Sequence, residues 1–244
     1  MFNEKLCLYD DLLAAVPAGL TVDAVRYGER WAMAETADGT GLGMFTAGHS
    51  VAPLFPEGLA GLPAREAAAA LKSWHLEEAS AGAAVINAAL NTRGRAAALG
   101  CGSGHYADGV DFRGKTVALI GHMNGPKGMR EAAKRVYILE RAPQEGDYPD
   151  SACDWLLPGC DIVIISGSTL INKTLPHLLE LCPQACTILT GPTVPLCPAL
   201  LDYGLDRISG LVVEDREGLR RHVSERLHGS PYVYGQPFVL VKDA

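Results

Sequence analysis

The sequence predicts an α/β protein made of a small α+β unit followed by a larger unit with a parallel, doubly wound sheet. Three observations carry this reading. From residue 115 onward, short and nearly continuous apolar runs alternate with helical stretches, the pattern of strands buried on both faces. Residues 1–92 instead run as helix, three alternating strands and two helices. Between them, residues 93–114 are rich in Gly, Ala and polar side chains without periodicity, which reads as a linker before a second domain over 115–244.

In the first unit, Leu6, Leu8, Leu12, Leu13 and Val16 place an apolar stripe on a helix over 3–16, stopped by Pro17 and Gly19. Strands over 21–26, 31–36 and 41–46 follow, with Asp38-Gly39 as the hairpin turn between the last two. An Ala-rich helix over 64–74 begins after Pro63. Another over 76–91 opens with Glu77 and Glu78, which suit a helix N-terminus. In the second unit the strands fall at 116–120, 136–139, 161–166, 187–190 and 208–213. The helices fall at 127–135, 151–157, 170–181, 195–203 and 217–227, and residues 232–242 add an edge strand.

Composition narrows the function classes. The chain has 244 residues, 48% apolar and 20% charged, with 27 Gly and a net charge of −7. No basic run suggests a nucleic-acid partner. No apolar stretch reaches the ~18 residues of a membrane span, and the start lacks the pattern of a signal peptide, so a cytoplasmic protein is expected. The 7 Cys are spread without a C-x-x-C pair and read as buried free thiols.

Ligands of open parallel sheets sit at the carboxyl ends of the strands. Gly121-His122 follows the first strand and opens a glycine-rich turn suited to an anion. His122 is either a metal ligand or proton carrier, or a residue that caps the loop. Glu140 ends the second strand, as an acidic group for a ribose hydroxyl or as a salt-bridge partner of Arg141. After the third strand, Ser168 or Thr169 can cap a helix, whereas capping does not account for Asn172. With Thr174 they form a candidate ligand site. Gly191, Pro192 and Thr193 form a stiff loop after the fourth strand. On the helix over 76–91, Asn87 and Asn91 lie one turn apart among apolar residues. Asn91 ends the helix, and Asn87 either bridges the units or faces a ligand. No G-x-G-x-x-G, Walker loop, H-E-x-x-H or nucleophile elbow is present.

These segments together are similar to a known family. The helix region 71–91, Gly121-His122, Glu140-Arg141-Ala142-Pro143 with Gly146-Asp147-Tyr148-Pro149, the run 168–174, the run 191–196, and Ser209-Gly210 with Val213 and Asp215 resemble the motifs of the "putative heavy-metal chelation" domain family. The resemblance implies an enolase N-terminal-like unit, a Rossmann-like unit and a site between them, with Asp215 among its residues. One departure is Met123-Asn124, where the family often has Phe-Pro, which bears on ligand choice.

The expected function is therefore heavy-metal chelation or handling of a metal complex in the cleft between the units. A transition metal is the expected ligand, held by His122 and Glu140 with Asn87 and Asn172 nearby. A second expectation is an enzyme acting on a nucleotide-, pterin- or flavin-like small molecule at the strand ends. A third is a non-catalytic homo-oligomer, packed through the small residues of the helix over 76–91.

Overall fold

The structure is a computed structural model and describes residues 7–48 and 51–242. The first helix, α1 (Cys7–Ala15), buries Leu8, Tyr9 and Leu12; the predicted positions 3–6 lie outside the described residues. Strands β1 (Val22–Tyr27), β2 (Trp31–Thr36) and β3 (Thr40–Met44) form an antiparallel meander in that order. Its second turn is closed by Thr36 and Gly39, whose backbone and side-chain groups bond one another. Helix α2 (Ala64–Ala67) tightens at once into a 3₁₀ turn over Ala68–Lys72, so the predicted helix over 64–74 is not one regular element. The tightening sits where Ala70 and Leu71 press against Gly82: a Cβ on Gly82 would collide with their backbone.

Helix α3 (Leu76–Leu90) is the centre of this unit. Every residue from Glu78 to Leu90 is buried. The backbone of β3 lies so close to α3 that a Cβ on Gly41 or Gly43 would strike the helix backbone. The small residues of α3 are thus used inside the chain. They are not a surface for a partner subunit, which removes the expected route to an oligomer.

Residues 93–114 are more ordered than a bare connection. Thr92 accepts a hydrogen bond from the Arg95 N–H and caps α4 (Arg93–Ala98), and β4 (Gly102–Ser103) joins the second sheet. The chain then runs through β5 (Thr116–Ile120), α5 (Met129–Ala132), β6 (Arg135–Glu140), β7 (Tyr148–Pro149), α6 (Cys153–Leu156), β8 (Ile162–Ser166), α7 (Ser168–Ile171), α8 (Leu175–Leu181), β9 (Cys186–Thr190), β10 (Arg207–Val213), α9 (Arg216–Ser224) and β11 (Gly235–Val241). The sheet order is β4-β11-β10-β9-β8-β5-β6-β7. The six strands from β10 to β7 are parallel; β11 and β4 are antiparallel to their neighbours. The predicted tail strand therefore exists as β11, but β4, not β11, forms the edge.

Helices are shorter than their sequence patterns. The predicted 127–135 keeps only Met129–Ala132, and 195–203 winds as a 3₁₀ turn over Pro198–Tyr203. The predicted 170–181 splits into α7 and α8 because Lys173 adopts φ 62, a left-handed conformation that ends a right-handed helix. None of the described helices is long and apolar enough to cross a membrane.

The two sheets share one apolar cluster that includes Leu12, Ile86, Leu170, Val194 and Ile208. Polar groups lock the contact. Asn91 Nδ2 donates to Val194 O (2.9 Å) and Leu211 O (3.3 Å), and its Oδ1 accepts from Leu196 N (2.8 Å). Asn87 Nδ2 donates to Leu42 O (2.7 Å) and Pro192 O (3.3 Å). Thr193 Oγ1 accepts from Met44 N (2.9 Å), and Arg220 pairs with Glu35 (2.7 Å). Lys173 reaches back to donate to Ser73 O and to Ile171 O (2.7 Å), with its ammonium over the Trp74 ring.

Two predictions follow from this joint. Asn91→Ala strands two carbonyls and one N–H inside the protein and costs about 3 kcal/mol of unfolding free energy in urea titrations. Burial pushes the Lys173 ammonium down to about 8, against the opposing pull of Glu78. Unfolded, it titrates near the ordinary 10.5. Between those values the unfolded chain holds the extra proton, so this group makes stability rise with pH there and contributes nothing to the slope below about pH 8. Lys173→Met should flatten that rise in unfolding titrations across the window; an identical slope in both proteins would contradict the assignment.

Candidate functional site

The parallel sheet reverses its direction of growth at β5. Strand β6 lies on one side of it and β8 on the other, so the ends of β5 and β8 define a switch point. At that point Gly121 has φ 102, and a Cβ there would lie 3.1 Å from Ser166 Cβ. Glycine thus lets the two strand ends close up and leaves the space above them to a ligand.

On one face of the sheet lies a polar pocket of about 130 Å³. Gly121, Glu140, Ser168, Thr169, Asn172 and Thr174 line it, six of the positions singled out from sequence. Arg141, Asp150, Cys153, Asp154 and His177 line it as well, with Ile120, Leu139 and Leu178 as its apolar part, and none of these eight stood among the candidate site residues of the sequence. A signal was available: Asp150 and Asp154 stand four apart about the start of the predicted helix over 151–157.

Each polar group has a local reason for its place. Thr169 Oγ1 donates to Ser166 O (2.7 Å), and the hydroxyls of Ser166 and Ser168 lie 3.0 Å apart. Gly167 occupies the cap position of α7, with no side-chain cap, so the expected capping by Ser168 or Thr169 is not what these hydroxyls do. Asn172 does have a local role: its Oδ1 accepts from Thr174 N (3.1 Å) and Thr174 Oγ1 (2.6 Å), bridging the break between α7 and α8. His177 Nε2 sits 3.0 Å from Asp154 Oδ1, and Arg141 Nε 3.3 Å from Asp150 Oδ2. Burial, with Asp150 and Asp154 adding to it, pushes the Cys153 thiol up to about 11. It therefore stays protonated at neutral pH in the metal-free protein.

Glu140 and His122 meet through the backbone. Glu140 Oε2 accepts from His122 N (2.7 Å), and Oε1 accepts from Arg141 N (2.7 Å). The His122 ring instead faces Asp147, with Nδ1 2.9 Å from Oδ2. The Gln144 N–H and then His122 hold the Asp147 carboxyl below its ordinary range. Among the described residues, no group of three or more His, Cys, Asp or Glu side chains is placed to hold a metal ion.

The remaining predicted positions lie elsewhere. Asn91 and Thr193 bond across the joint between the sheets, as does Asn87 through its Nδ2, while Asn87 Oδ1 is buried without a hydrogen-bond partner among the described residues. Asp215 accepts from Gly218 N (2.8 Å) and caps α9, which accounts for its place in the sequence. Gly191 and Pro192 line a second cavity on the opposite face of the sheet.

A family model described as "putative heavy-metal chelation" matches residues 109–239, and a second model of the same description matches residues 9–90. A DUF364-family protein of unknown function from Desulfitobacterium hafniense has a crystal structure that superposes with a TM-score of 0.88 at 33% identity, over 99% of each chain. A further DUF364-family protein of unknown function, from Pyrococcus horikoshii, gives a TM-score of 0.75 at 19% identity over 98% of each chain, a likeness of fold. The uncharacterized protein MJ0500 of Methanocaldococcus jannaschii is 33% identical over 108 residues, 41% of this chain and 42% of that protein. The matched stretch is thus less than half of that relative's length. The chain carries both parts of the architecture in the same order as these structures, and it belongs to the family described as "putative heavy-metal chelation".

Proposed function

We propose that the protein binds a cationic metal complex, rather than a bare metal ion, in the polar pocket at the ends of β5, β6 and β8. The observation that carries this reading is the pocket's lining. Three carboxylates (Glu140, Asp150 and Asp154) stand there against one guanidinium, Arg141, with His177 beside them. Such a lining attracts positive charge and disfavours the phosphates of a nucleotide.

A bare ion demands ligands that replace its water shell from several directions at once. These side chains are already engaged with neighbours, and no set of three converges among the described residues. A complex that brings its own ligands asks only for opposite charge and hydrogen bonds. Ser168, Thr169, Asn172 and Thr174 supply the latter. In this reading His122 and Glu140 shape the rim, and the ligand sits at the strand ends of the second unit rather than between the units. The family description supports metal handling in general.

Metal analysis by mass spectrometry on protein purified without an affinity tag, together with native mass measurement, tests the proposal. The expected result is metal accompanied by extra organic mass. Asp154→Asn and His177→Ala should each lower occupancy about tenfold, with melting curves confirming that both variants fold. Metal lost only in His122→Ala would move the site to the rim. Protein free of metal, and unable to take up metal complexes on titration, would end the reading.

A further inference from the structure

The second cavity lies across the sheet from the acidic pocket and differs from it in chemistry. It measures about 460 Å³, within the size of small-molecule sites. Tyr106, Tyr232, Met123, Pro192 and Pro237 line it, and none of its lining residues is Asp, Glu, Lys or Arg. The His105 ring lies against Tyr106 at 4.1 Å between centroids, which steadies that wall.

The sheet itself contributes a polar row. Ser166, Thr190 and Ser209 all line the cavity and are register partners across β8, β9 and β10. Neighbouring parallel strands place paired residues on one face, about 4.8 Å apart, so the three hydroxyls span roughly 10 Å. Thr190 is 6% and Ser209 1% exposed. Their side chains line the cavity, and at the same wall the Tyr106 hydroxyl is buried without a hydrogen-bond partner among the described residues. A buried hydroxyl without a partner costs stability, so the Tyr106 hydroxyl, beside a row of three hydroxyls lining the same cavity, marks a place where a partner is supplied from outside.

We propose that this cavity binds a neutral, flat heteroaromatic molecule of two or three fused rings, its polar edge along the Ser166–Thr190–Ser209 row and its faces against the tyrosine, methionine and proline walls. A phosphorylated or carboxylated ligand would find no cation here. An aliphatic one would leave the Tyr106 hydroxyl unsatisfied. Burial pushes the Tyr106 phenol up to about 12, and burial together with Tyr106 does the same for Tyr232, so both walls stay uncharged near neutral pH. The proposal is independent of the metal reading, which concerns the opposite face.

The test is an amide-resolved NMR titration of the full chain with three probes: quinazolinone (neutral, with a polar edge), naphthalene (the same shape without that edge) and naphthoate (charged). Quinazolinone should shift the amides of Met123, Gly191 and Ser209 saturably and bind more tightly than either comparison compound. The double variant Thr190→Val, Ser209→Ala should weaken quinazolinone about tenfold, roughly the loss of two neutral hydrogen bonds, and leave naphthalene unchanged. Asn124→Trp, at an exposed position of the rim, should block both while leaving metal uptake on the other face intact. The proposal is overturned by absence of saturable shifts with quinazolinone up to its solubility limit. Equal binding of naphthoate would overturn it too, as would an unchanged quinazolinone affinity in a correctly melting double variant.

Discussion

The fold depends on a helix with no solvent face. Because α3 is buried from Glu78 to Leu90, its neighbours must reach it from all sides, and its sequence is accordingly Ala, Gly and Ser over most of its length. The same burial makes partners matter for its polar groups, and most of them are met within the chain, Asn87 Oδ1 excepted. Glu78 accepts the N–H groups of Leu54 (2.8 Å) and Phe55 (2.6 Å), and Ser80 accepts that of Thr46 (3.1 Å). Asn87 and Asn91 reach the loop after β9. That loop is thereby held at Pro192, Thr193 and Val194, and Pro192 is a wall of the larger cavity. Packing in the first unit thus fixes the shape of a pocket in the second.

A parallel sheet with a switch point offers a ligand two faces at one strand end, and here the faces differ. Alternation along the strands decides which side chain goes where. On β8, Val163 and Ile165 join the core shared with α3, while Ile162 and Ile164 pack on the other side. Ser166 continues the second set and the following turn carries Ser168 and Thr169 to the first. One strand end therefore feeds an acidic pocket and an apolar cavity within a few residues. Fold alone would not specify this; it follows from the individual side chains at the ends of β6, β8 and β9.

Much of this was legible in the sequence. Strands buried on both faces announce themselves as apolar runs, so β5, β6, β8, β9 and β10 were found close to their observed positions. So were the loops that follow β5, β6 and β8, which supply six positions of the acidic pocket. Long-range pairing was not legible. β4 is two residues whose strand character exists only because β11 lies beside it. Helix lengths were overestimated where apolar periodicity continued through a backbone break, as at Lys173. Asp215, part of one of the family motifs, caps α9 through backbone geometry that the sequence pattern did not reveal. His105, Tyr106 and Tyr232 escaped notice because they come from distant segments that carry no local pattern and meet only after folding.

The eight-stranded sheet ends on both sides in strands of only two residues, β4 and β7. Each stub pairs with only two residues of its neighbour, Phe238 and Val239 of β11 and Leu139 and Glu140 of β6, so the rest of those outer edges carries no ladder partner among the described residues. A sheet with so many parallel strands is slow to form and sticky while incomplete. The two stubs therefore interrupt the outer edges without sealing them, and the uncovered stretches of β6 and β11 are where this sheet is open to a further strand.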